Sequence, residues 1–379
     1  MKNPTILLVG GGSGGHITPL LAVADELRLK YPDSRIIFVT ERGGKFTNII
    51  YKHYKNSEVK QIWAGKLRRY HGVSVWKQVL DINTIALNLR DIVLLAIGSV
   101  ESAYLILTKR PNVIFVKGGF VSLPVGTVAR ILRKPYITHD SDTLPSLTNK
   151  MIGRGAKLNL MALTTHSKNY DPKKIRKVGV PIDSSFRPAD QQTIALIKKK
   201  LGVKQDSTVL LVVGGSIGAD RLNKAVYEAS LELLAKNPSL YIIHQIGSGQ
   251  DNGSAQHERL RTVSFIDNMS EYGAISDIVI SRAGATAISE FATLQKPLIL
   301  VPNPHLTSGH QLENADLLAK ANACIVIDES PDLAVDIIAQ TQGLLDNTSL
   351  RKDLSGKIKQ FSSDKSAREI ANILGGFIK

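Results

Sequence analysis

The chain has 379 residues, 43% hydrophobic and 21% charged, a globular balance that excludes disordered, collagen-like and low-complexity proteins. A single cysteine, Cys324, excludes an internal disulfide and a cysteine-based metal centre. The formal net charge of +15 indicates an anionic partner, which could be nucleic acid, a membrane surface or a phosphorylated ligand.

The positive charge is concentrated in the first part of the chain. Residues 1–165 contain 23 lysines and arginines against 10 acidic residues, whereas residues 166–379 contain 25 and 23. At roughly 100–200 residues per domain, the length predicts two domains, which we expect at 1–165 and 166–379. This asymmetry is typical of a protein with one domain facing an anionic surface, and since no nucleic-acid-binding module is recognisable, we expect no nucleic-acid partner.

The N-terminal region predicts a strand, a glycine turn and a helix. The apolar run Thr5–Val9 leads into Gly10–Gly15, after which apolar residues recur at helical spacing. The uncharged stretch 3–24 is interrupted by these glycines and by Pro4 and Pro19, so it predicts neither a membrane span nor a signal peptide. We expect no membrane span elsewhere.

Further buried strands are predicted along the first half, with helical patterns between some of them, notably 124–132. These strands lie at Arg35–Thr40, Asn112–Val116 and Pro135–His139. Alternating strands and helices predict a parallel sheet that is covered on both faces.

The second half repeats the same order of elements. Thr208–Val213 leads into the turn Gly214–Gly218 and a helical stretch over 221–234, and further strands are predicted at Tyr241–Ile246, Val263–Ile266, Asp277–Ile280, Pro297–Val301 and Cys324–Ile327. The sequence therefore predicts an α/β protein with two doubly wound, Rossmann-like domains joined near 164–188. The last helical stretch, 365–377, could pack on either domain.

Both glycine turns predict anion binding. A glycine turn that opens a helix presents backbone N–H groups at the positive end of the helix, where phosphate binds. One such turn is weak evidence, because a purely structural tight turn has the same sequence. Ligands of doubly wound sheets bind beyond the carboxyl ends of the strands, so we expect both turns to border one cleft between the domains.

Seven motifs follow one another in order along most of the chain. They are Gly11–His16 with Pro19, Gly65–Tyr70, Gly118–Ser122, Leu147–Lys150, Gly214–Ala219, Ser281–Glu290, and the set Pro302, His305, Gln311, Asn314 and Ala315. Together they resemble the MurG family of N-acetylglucosaminyltransferases, in glycosyltransferase family 28. The resemblance implies a GT-B fold, in which two Rossmann-like domains enclose an interdomain cleft.

The resemblance also implies an activity. It would be the inverting transfer of GlcNAc from UDP-GlcNAc to the C4 hydroxyl of MurNAc in undecaprenyl-pyrophosphoryl-MurNAc-pentapeptide, which converts lipid I to lipid II. The family needs no cofactor or metal, and its role in peptidoglycan biosynthesis connects it with cell shape and division. The implied location is peripheral, on the cytoplasmic face of the inner cell membrane, where other cell-wall synthesis proteins are possible partners.

By the same resemblance, the donor contacts can be assigned. They fall on Ser13, Gly14, Gly15, Asp142, Ser216, Ile266, Ala285, Thr286, Ala287, Ile288, Ser289, Glu290 and Gln311. Glu290 would accept the ribose hydroxyls and Gln311 would bind sugar hydroxyls as donor and acceptor. The structural alternatives are a solvated helix carboxylate and a surface amide.

His16 is the candidate catalytic residue. It follows the first glycine turn at the start of a helix, where the positive helix end favours a neutral imidazole. A neutral histidine could take the proton of the acceptor hydroxyl as general base. The alternative is a loop histidine that only bonds phosphate or backbone.

The segment after the fourth predicted strand departs from the family pattern. Asp140-Ser141-Asp142 has the spacing of a metal-binding pair of aspartates, but such pairs arise easily by chance and the family is metal-independent. Asp142 stands where the family has an asparagine, and Asp183 where it often has an arginine. Either Lys177 or Arg187 replaces that arginine, or the local alignment is offset.

Aromatic and basic residues together predict a membrane-facing surface in the first half. Trp63 and Trp76 flank Lys66, Arg68 and Arg69, and downstream a helical face with Lys77 and Arg90 nearby contains Ile82, Ile85, Leu89, Ile92 and Val93. This combination suits contact with the anionic membrane interface and with lipid I. The alternative is a core helix with solvated charges.

Three other functions remain open on the residues alone. The chain could be a GT-B transferase for another lipid acceptor such as diacylglycerol, a nicotinamide-dependent oxidoreductase that uses the first glycine turn, or a non-catalytic module that binds anionic lipid. Calorimetry with NAD(H) and transfer assays with each acceptor distinguish them.

Overall fold

The computed structural model describes residues 3–44, 47–66, 82–163, 167–215, 218–247, 257–306 and 309–378, with only the backbone for 82–86. The chain forms two compact units. Unit 1 comprises Met1–Asp183, His305–His310 and Lys365–Lys379, and unit 2 comprises Ser184–Pro304 and Gln311–Asp364.

Unit 1 is built on a parallel sheet of seven described strands in the order β3-β2-β1-β4-β5-β6-β7. The strands are β1 (Thr5–Val9), β2 (Arg35–Glu41), β3 (Glu58–Ile62), β4 (Val113–Val116), β5 (Tyr136–Asp140), β6 (Leu158–Met161) and β7 (Ile175–Lys177). The helices between them are α1 (Gly14–Lys30), α2 (Thr47–His53), α3 (Ile82–Lys109), α4 (Ser122–Ile131) and α5 (Leu147–Ile152).

The two faces of this sheet carry separate hydrophobic cores. Ile6 and Leu8 of β1 pack with α1 in one cluster, while Leu7 and Val9 pack in the other with residues of α3 and α4. Because successive strand residues point to opposite faces, a strand covered on both sides must be apolar throughout. This explains why β1 and β4 are continuous apolar runs.

Unit 2 is built on a parallel sheet in the order β10-β9-β8-β11-β12-β13. The strands are β8 (Thr208–Val213), β9 (Leu240–Gln245), β10 (Leu260–Val263), β11 (Ile278–Ser281), β12 (Leu298–Leu300) and β13 (Ile325–Val326). The helices are α6 (Gln191–Leu201), α7 (Asp220–Lys236), α8 (Met269–Ile275), α9 (Ala285–Thr293), α10 (His310–Lys320), α11 (Leu333–Asp346) and α12 (Thr348–Ile358).

Both units confirm the predicted α/β class with doubly wound, Rossmann-like sheets. The strand order reverses between β1 and β4 in unit 1 and between β8 and β11 in unit 2. At such a switch point the connections leave in opposite directions and open a crevice beyond the carboxyl ends of the strands. The candidate ligand positions of the two units are therefore the loops that follow these strands.

The predictions were least accurate at edge strands. The strand predicted at 263–266 runs instead over Leu260–Val263, paired with β9. The edge strands β3 and β7 were not predicted, and neither was β6, which lies next to β7. Edge strands are partly exposed and mix polar with apolar residues, so they lack the continuous apolar run of a central strand. All four residues of β10 are only partly buried.

The first sheet continues beyond the expected domain boundary at 165/166. Strand β7 pairs with β6, and Val178, Val180 and Ile182 after it are buried, so the chain leaves unit 1 only after Asp183. The pairing of β7 places the division about 18 residues later than the composition suggested.

The last helix, α13 (Ser366–Gly375), belongs to unit 1. It packs against α1, and Ile370, Ala371 and Leu374 are buried in the same core cluster as α1. The Lys30 ammonium donates to the Asn372 side chain. The C-terminal helix therefore completes the core of the unit that begins with β1.

Helix α3 contains a candidate membrane span, although none was expected from the sequence. Its segment Leu87–Lys109 is long and apolar enough to cross a membrane, judged by length and composition alone, and 28% of it is buried in unit 1. One face packs on the unit through Leu105 and Ile106. The opposite side exposes apolar residues, namely Leu89, Ile92, Val93, Ile97, Val100, Tyr104 and Leu107.

Candidate functional site

The candidate site of unit 1 lies at the switch point between β1 and β4. Three loops meet there: the glycine turn after β1, the segment Lys117–Gly119 after β4, and the segment Ser141–Asp142 after β5. Because parallel strands end at the same edge of a sheet, these loops come together although they are more than 100 residues apart at their extremes.

The first glycine turn is held by an internal carboxylate. Glu41 ends β2, and its Oε1 accepts a 3.0 Å hydrogen bond from the backbone N–H of Gly12, which has φ +85°. A Cβ at Gly11 would lie 1.9 Å from Glu41 Oε2. Glycine is thus required at both positions, and the carboxylate takes a backbone N–H group that a phosphate could otherwise have used.

Ser13, Gly14 and Gly15 form the start of α1, where the sequence predicted ligand contacts. Ser13 is the N-cap residue in extended conformation without a side-chain capping bond, and its carbonyl accepts the N–H of His16 at 3.1 Å. Ser13 and Gly14 are partly exposed and Gly15 is exposed. The start of the helix is therefore open to a ligand in unit 1.

The imidazole of His16 is held in one tautomer. Its Nδ1 lies 3.2 Å from the carbonyl oxygen of Gly11, and since a carbonyl only accepts, Nδ1 carries the hydrogen. Burial, and secondly the positive charge of Lys117, lower the pKa of His16 to about 3. His16 is therefore neutral at pH 7, with the Nε2 lone pair free of a proton.

The second glycine turn of unit 1 packs directly on the first. Gly118 and Gly119 have φ +98° and +78°. A Cβ at Gly119 would lie 2.8 Å from both the Gly11 carbonyl oxygen and His16 Nδ1. A larger residue at Gly119 would displace the imidazole, so this glycine fixes the position of His16.

Asp140 and Asp142 have different environments. The carboxylate of Asp140 is buried and accepts hydrogen bonds from Tyr170 at 2.7 Å, the Ser146 backbone at 3.0 Å and Asn149 at 2.9 Å. Burial raises the pKa of Asp140 in spite of these bonds. Asp140 thus anchors the start of α5, whereas Asp142 is partly exposed.

These contacts do not support metal binding by Asp140 and Asp142, because the Asp140 oxygens accept hydrogen bonds within the protein. Among the residues that the structure describes, no group of three or more His, Cys, Asp or Glu side chains could hold a metal ion. Asp183 is the other residue that departs from the family pattern. Burial, and secondly the hydrogen bond to Asp25, raise the pKa of Tyr54, and the negative charge of Asp183 raises it further.

The candidate site of unit 2 lies at the switch point between β8 and β11. Gly215 and Gly218 of the turn after β8 have φ +96° and +89°, while Ser216 lies outside the described residues. Gln245 at the end of β9 donates to the Gly215 carbonyl at 3.3 Å and accepts the Ile266 N–H at 2.9 Å. This buried amide fixes the Ile266 backbone beside the glycine turn.

Helix α9 presents only part of its predicted binding run. Gly284 is its N-cap, and Thr286, Ala287 and Glu290 are partly exposed. Ala285, Ile288 and Ser289 are buried, so the side chains of these three face the interior of unit 2. Thr286 and Glu290 are four residues apart and share one helical face close to the start of the helix.

Gln311 is not the surface amide of the structural alternative. Its side chain is buried, and its Oε1 accepts the backbone N–H of Asn303 at 2.9 Å. The neighbouring Asn314 donates to the carbonyl of Ala283 at 2.9 Å and so holds the loop that precedes α9. Both amides connect α10 to loops at the carboxyl edge of the sheet.

The predicted membrane-facing residues are described only in part. Trp63 is 40% exposed, with the Arg42 guanidinium 5.4 Å from its ring, and Lys66 is exposed. Arg68, Arg69 and Trp76 lie outside the described residues. Leu89, Ile92 and Val93 are exposed on α3, so this part of the predicted apolar face is not core.

Three residues of the candidate sites were not singled out for these roles from the sequence. Glu41, Lys117 and Gln245 each lie at or directly after the carboxyl end of a strand, namely β2, β4 and β9. A polar residue that ends a buried strand is the available signal, since that edge carries the ligand site of a doubly wound sheet.

Models of known families match both halves of the chain. Residues 6–160 match the glycosyltransferase family 28 N-terminal domain, and residues 209–370 match the glycosyltransferase family 28 C-terminal domain.

Individual relatives match over almost the whole length. The chain is 31% identical over 386 residues to a Caldicellulosiruptor saccharolyticus protein, covering 99% of this chain and 98% of that protein. That protein is named UDP-N-acetylglucosamine–N-acetylmuramyl-(pentapeptide) pyrophosphoryl-undecaprenol N-acetylglucosamine transferase. A Bacillus anthracis protein with the same name and the suffix 2 is 32% identical, with 92% of this chain and 93% of that protein covered.

The fold is also that of a solved structure. The crystal structure of Acinetobacter baumannii MurG superposes with a TM-score of 0.69 at 21% identity, covering 99% of each chain. At this identity the likeness establishes the GT-B fold.

Proposed function

The chain belongs to the family of UDP-N-acetylglucosamine–N-acetylmuramyl-(pentapeptide) pyrophosphoryl-undecaprenol N-acetylglucosamine transferases, within glycosyltransferase family 28, and from this membership we propose how its two units share the reaction. The protein is a hexosyltransferase that transfers GlcNAc from UDP-GlcNAc to lipid I. The near-full-length match to transferases of that name carries this conclusion. The same match argues against two alternatives from the sequence, a nicotinamide-dependent oxidoreductase and a non-catalytic module that binds anionic lipid.

Unit 2 is proposed to bind UDP-GlcNAc. The N-terminus of α9 and the glycine turn after β8 offer backbone N–H groups to a diphosphate without a metal ion. Glu290 would accept the ribose hydroxyls, and Thr286 on the same helical face would contact the nucleotide. The buried Gln245 supports this arrangement, because it holds Ile266 beside the turn.

Unit 1 is proposed to supply the general base. His16 is neutral at pH 7, and the Gly11 bond leaves Nε2 as the acceptor atom. The proton of the attacking hydroxyl, taken to be the C4 hydroxyl of MurNAc, would pass to Nε2 as the new glycosidic bond forms. A weak base suffices for a late proton transfer, because the attacking oxygen becomes strongly acidic only when that bond is well advanced.

The stereochemical outcome follows from direct attack. In this proposal the hydroxyl attacks the anomeric carbon from the side opposite UDP, so the configuration inverts and the product is a β-glycoside. The transition state would have oxocarbenium character, with negative charge developing on the departing diphosphate. Fixed N–H dipoles at α9 would stabilise that charge.

The exposed face of α3 is proposed to rest on the membrane. Seven apolar side chains are exposed on the part of this helix whose side chains are described, 87–109, and Trp63 and Lys66 lie nearby in the same unit. The net charge of residues 1–165 is strongly positive. Apolar groups would enter the interface while basic groups attract anionic headgroups, each contributing ~1 kcal/mol near the surface. Since Leu105 and Ile106 pack α3 on unit 1, this supports a peripheral rather than a spanning position.

A transfer assay tests the proposed function. The full-length protein is incubated with radiolabelled UDP-GlcNAc and either lipid I or diacylglycerol in detergent micelles, with UDP-glucose as the donor control. We expect label on lipid I, little turnover of UDP-glucose, and release of the label by a β-specific hexosaminidase. Turnover of diacylglycerol but not of lipid I would overturn the acceptor assignment, and resistance to the hexosaminidase would overturn inversion.

A further inference from the structure

Arg282 belongs to the motif Ser281–Glu290, yet the proposed reaction gives it no role. It follows β11 directly, and its side chain is 9% exposed. Its backbone N–H donates to the carbonyl of Val213 at the end of β8, at 3.3 Å, so the residue lies at the switch point of unit 2. Burial removes the hydration of a guanidinium group, which is costly unless partners in the protein replace the water.

The buried guanidinium group has two acceptors in the loops at the carboxyl edge of the sheet. Its Nη1 donates to the Val301 carbonyl, directly after β12, at 3.1 Å and to Glu329 Oε2 at 2.5 Å. Glu329 lies three residues after β13, and its side chain is only 4% exposed. Since charged groups are buried to this degree only when they are paired, the ion pair is a fixed part of unit 2 and not a surface contact.

The second oxygen of Glu329 extends the connection to α7. Its Oε1 lies 3.7 Å from Nε of Arg221, the second residue of that helix. The Arg221 side chain is 66% exposed, so water screens this contact and it is weaker than the buried one. The carboxylate of Glu329 therefore joins the start of α7 to Arg282.

Both ends of this connection lead to elements that we proposed above as the diphosphate site. Arg282 lies two residues before Gly284, the N-cap of α9, and Arg221 lies three residues after Gly218 of the glycine turn. Each element would offer backbone N–H groups to the diphosphate, so their spacing has to be fixed if one ligand is to contact both. A single carboxylate that holds both segments can fix this spacing.

We propose that Glu329 is a positioning residue for donor binding: its carboxylate, between Arg282 and Arg221, sets the spacing between the N-terminus of α9 and the glycine turn after β8, so that both bind one diphosphate. In this role Glu329 acts through the two segments and not by contact with the donor. The inference rests on the proposed function, since it takes UDP-GlcNAc as the ligand of unit 2.

Removal of the whole buried ion pair separates a role in donor binding from a role in stability. Glu329→Gln leaves the Arg282 charge without its partner, and Arg282→Met takes the buried partner from the carboxylate. Each single variant should therefore have a lower Tm and a roughly 10- to 100-fold weaker UDP-GlcNAc affinity. The double variant has no uncompensated buried charge, so its Tm should exceed that of either single variant. Its UDP-GlcNAc affinity should stay at least about 10-fold below that of the unaltered protein, because the connection is still missing.

Thermal melts measure the Tm values, and calorimetry with UDP-GlcNAc on the full chain measures the affinities. If the double variant recovers both its Tm and its donor affinity, the ion pair only stabilises unit 2 and the proposal is refuted. In the transfer assay, the UDP-GlcNAc KM should rise in these variants while the lipid I KM changes less than about 3-fold. An equal rise of both KM values would also refute it.

Calorimetry also distinguishes this inference from the proposed function, because the titration needs no acceptor. If lipid I is not glycosylated but the variants lose donor affinity as described, the acceptor assignment fails and the role of Glu329 stands. If lipid I is glycosylated and the variants bind UDP-GlcNAc as the unaltered protein does, the role of Glu329 fails alone. Absence of UDP-GlcNAc binding by the unaltered protein would overturn both.

Arg221→Met tests the contact with α7 in a variant that should fold normally, because this side chain is exposed. We expect an about 3- to 10-fold weaker UDP-GlcNAc affinity at an unchanged Tm, and no further loss in the Glu329→Gln background. If Glu329→Gln does not fold, the double variant with Arg282→Met provides the background instead. The same loss in both backgrounds would mean that Arg221 acts independently of Glu329, and this result, like the absence of any loss, would refute the connection.

Two lysines of unit 2 provide matched controls. Lys296 is a partly buried lysine that donates to the Ala274 carbonyl at 2.8 Å, and Lys200 is an exposed lysine that pairs with Glu271 at 2.7 Å. Lys296→Met should lower the Tm and Lys200→Met should leave it unchanged, while both keep the UDP-GlcNAc affinity within about 2-fold. A loss of affinity in the controls as large as in Glu329→Gln would show that the effect is not specific to the connection, and would refute it.

Discussion

The chemistry of His16 depends on three neighbouring residues, Gly11, Lys117 and Gly119. The Gly11 carbonyl fixes the hydrogen on Nδ1, and burial together with Lys117 keeps the ring neutral. Gly119 leaves no room for the imidazole to shift. A histidine held in this way can accept a proton at one defined atom, which is the requirement for a general base.

Replacing His16 by alanine tests that role. Because general bases contribute roughly 10²- to 10⁴-fold, we expect His16→Ala to lower kcat by that factor while the UDP-GlcNAc KM stays within about 3-fold. Steady-state kinetics with lipid I measures both. His53→Ala is the matched control, since His53 is a half-exposed histidine of α2 bonded to Asp25, and it should leave kcat unchanged.

The pH profile provides a second measurement on the same residue. With its pKa lowered to about 3, His16 does not become protonated between pH 8 and pH 5. We therefore expect that His16 causes no decrease of kcat/KM near pH 6.5 in the unaltered protein. The pH profile of a variant that keeps measurable activity, such as His16→Gln, should have the same shape in this range. A decrease near pH 6.5 that the variant lacks would mean that His16 titrates as an ordinary exposed histidine.

At the scale of elements, α3 combines a tightly packed side with an exposed apolar side. A Cβ at Gly98 would lie 1.8 Å from the Trp63 carbonyl oxygen, and a Cβ at Gly65 would lie 1.9 Å from the Asp91 carbonyl oxygen. The two glycines thus let the segment after β3 cross the helix at backbone distance. This close crossing fixes Trp63 beside the exposed face of α3.

Gly98→Ala should break this crossing. Alanine normally stabilises a helix more than glycine does. Here its methyl group would overlap backbone atoms that cannot move aside, so the free energy of unfolding should decrease by about 1–3 kcal/mol. Gly343→Ala is the matched control, because Gly343 also lies within a helix, α11, with open space around its Cα. Thermal melts should show a lower Tm for the first variant and an equal or higher Tm for the second; equal shifts would contradict the packing.

Charge on the exposed face of α3 should weaken membrane binding. Val93→Glu with Val100→Glu replaces two exposed valines, and loss of their apolar surface plus repulsion by anionic lipid should reduce vesicle binding by at least roughly ten-fold. Sedimentation with phosphatidylglycerol vesicles measures this. Leu196→Glu, at a comparably exposed apolar residue of α6 in unit 2, is the control. Equal loss in the control would argue against α3 as the contact face.

On the scale of the whole molecule, two units share one sheet design while each depends on distant parts of the chain. Unit 1 needs α13 to cover α1, and unit 2 is built from the segments on either side of residues 305–310. Each unit also buries a neutral histidine, namely His139 in unit 1 and His244 in unit 2. Their common effect is on stability rather than on catalysis.

These histidines predict that stability falls in mild acid. Burial lowers the pKa of His244 to about 4 and that of His139 well below its usual value, whereas in the unfolded chain both titrate near pH 6.5. Below pH 6.5 the unfolded state binds more protons, so the free energy of unfolding decreases, by about 2 kcal/mol per histidine at pH 5. The loss continues until the pH reaches the folded-state pKa.

Urea unfolding at pH 7.5, 6 and 5 measures this dependence. His244→Gln removes one titrating group. The decrease in the free energy of unfolding between pH 7.5 and 5 should therefore be smaller by about 2 kcal/mol, the contribution of one histidine. A stability that is flat or rises toward pH 5 in the unaltered protein would contradict the neutral burial of these residues.

Local sequence patterns were enough to predict the two strand, glycine-turn and helix openings, the parallel sheets and the family. Buried central strands such as β1 and β8 are continuous apolar runs, and the turns after them require glycine at positive φ, so both requirements are written in neighbouring residues. The order of the motifs from the first turn to Gln311 identified the family, and the matching family models and relatives agree with that assignment.

The side chains that complete the turns could be identified only from the folded arrangement of the strands. Three hydrogen bonds join residues 21 to 29 positions apart: the Gly12 N–H donates to Glu41, Lys117 donates to Ser141, and the Ile266 N–H donates to Gln245. The place of α13 on unit 1 and the inward direction of Ile288 and Ser289 were settled in the same way. Such contacts depend on which strands lie side by side in a sheet, and local sequence patterns do not specify that order.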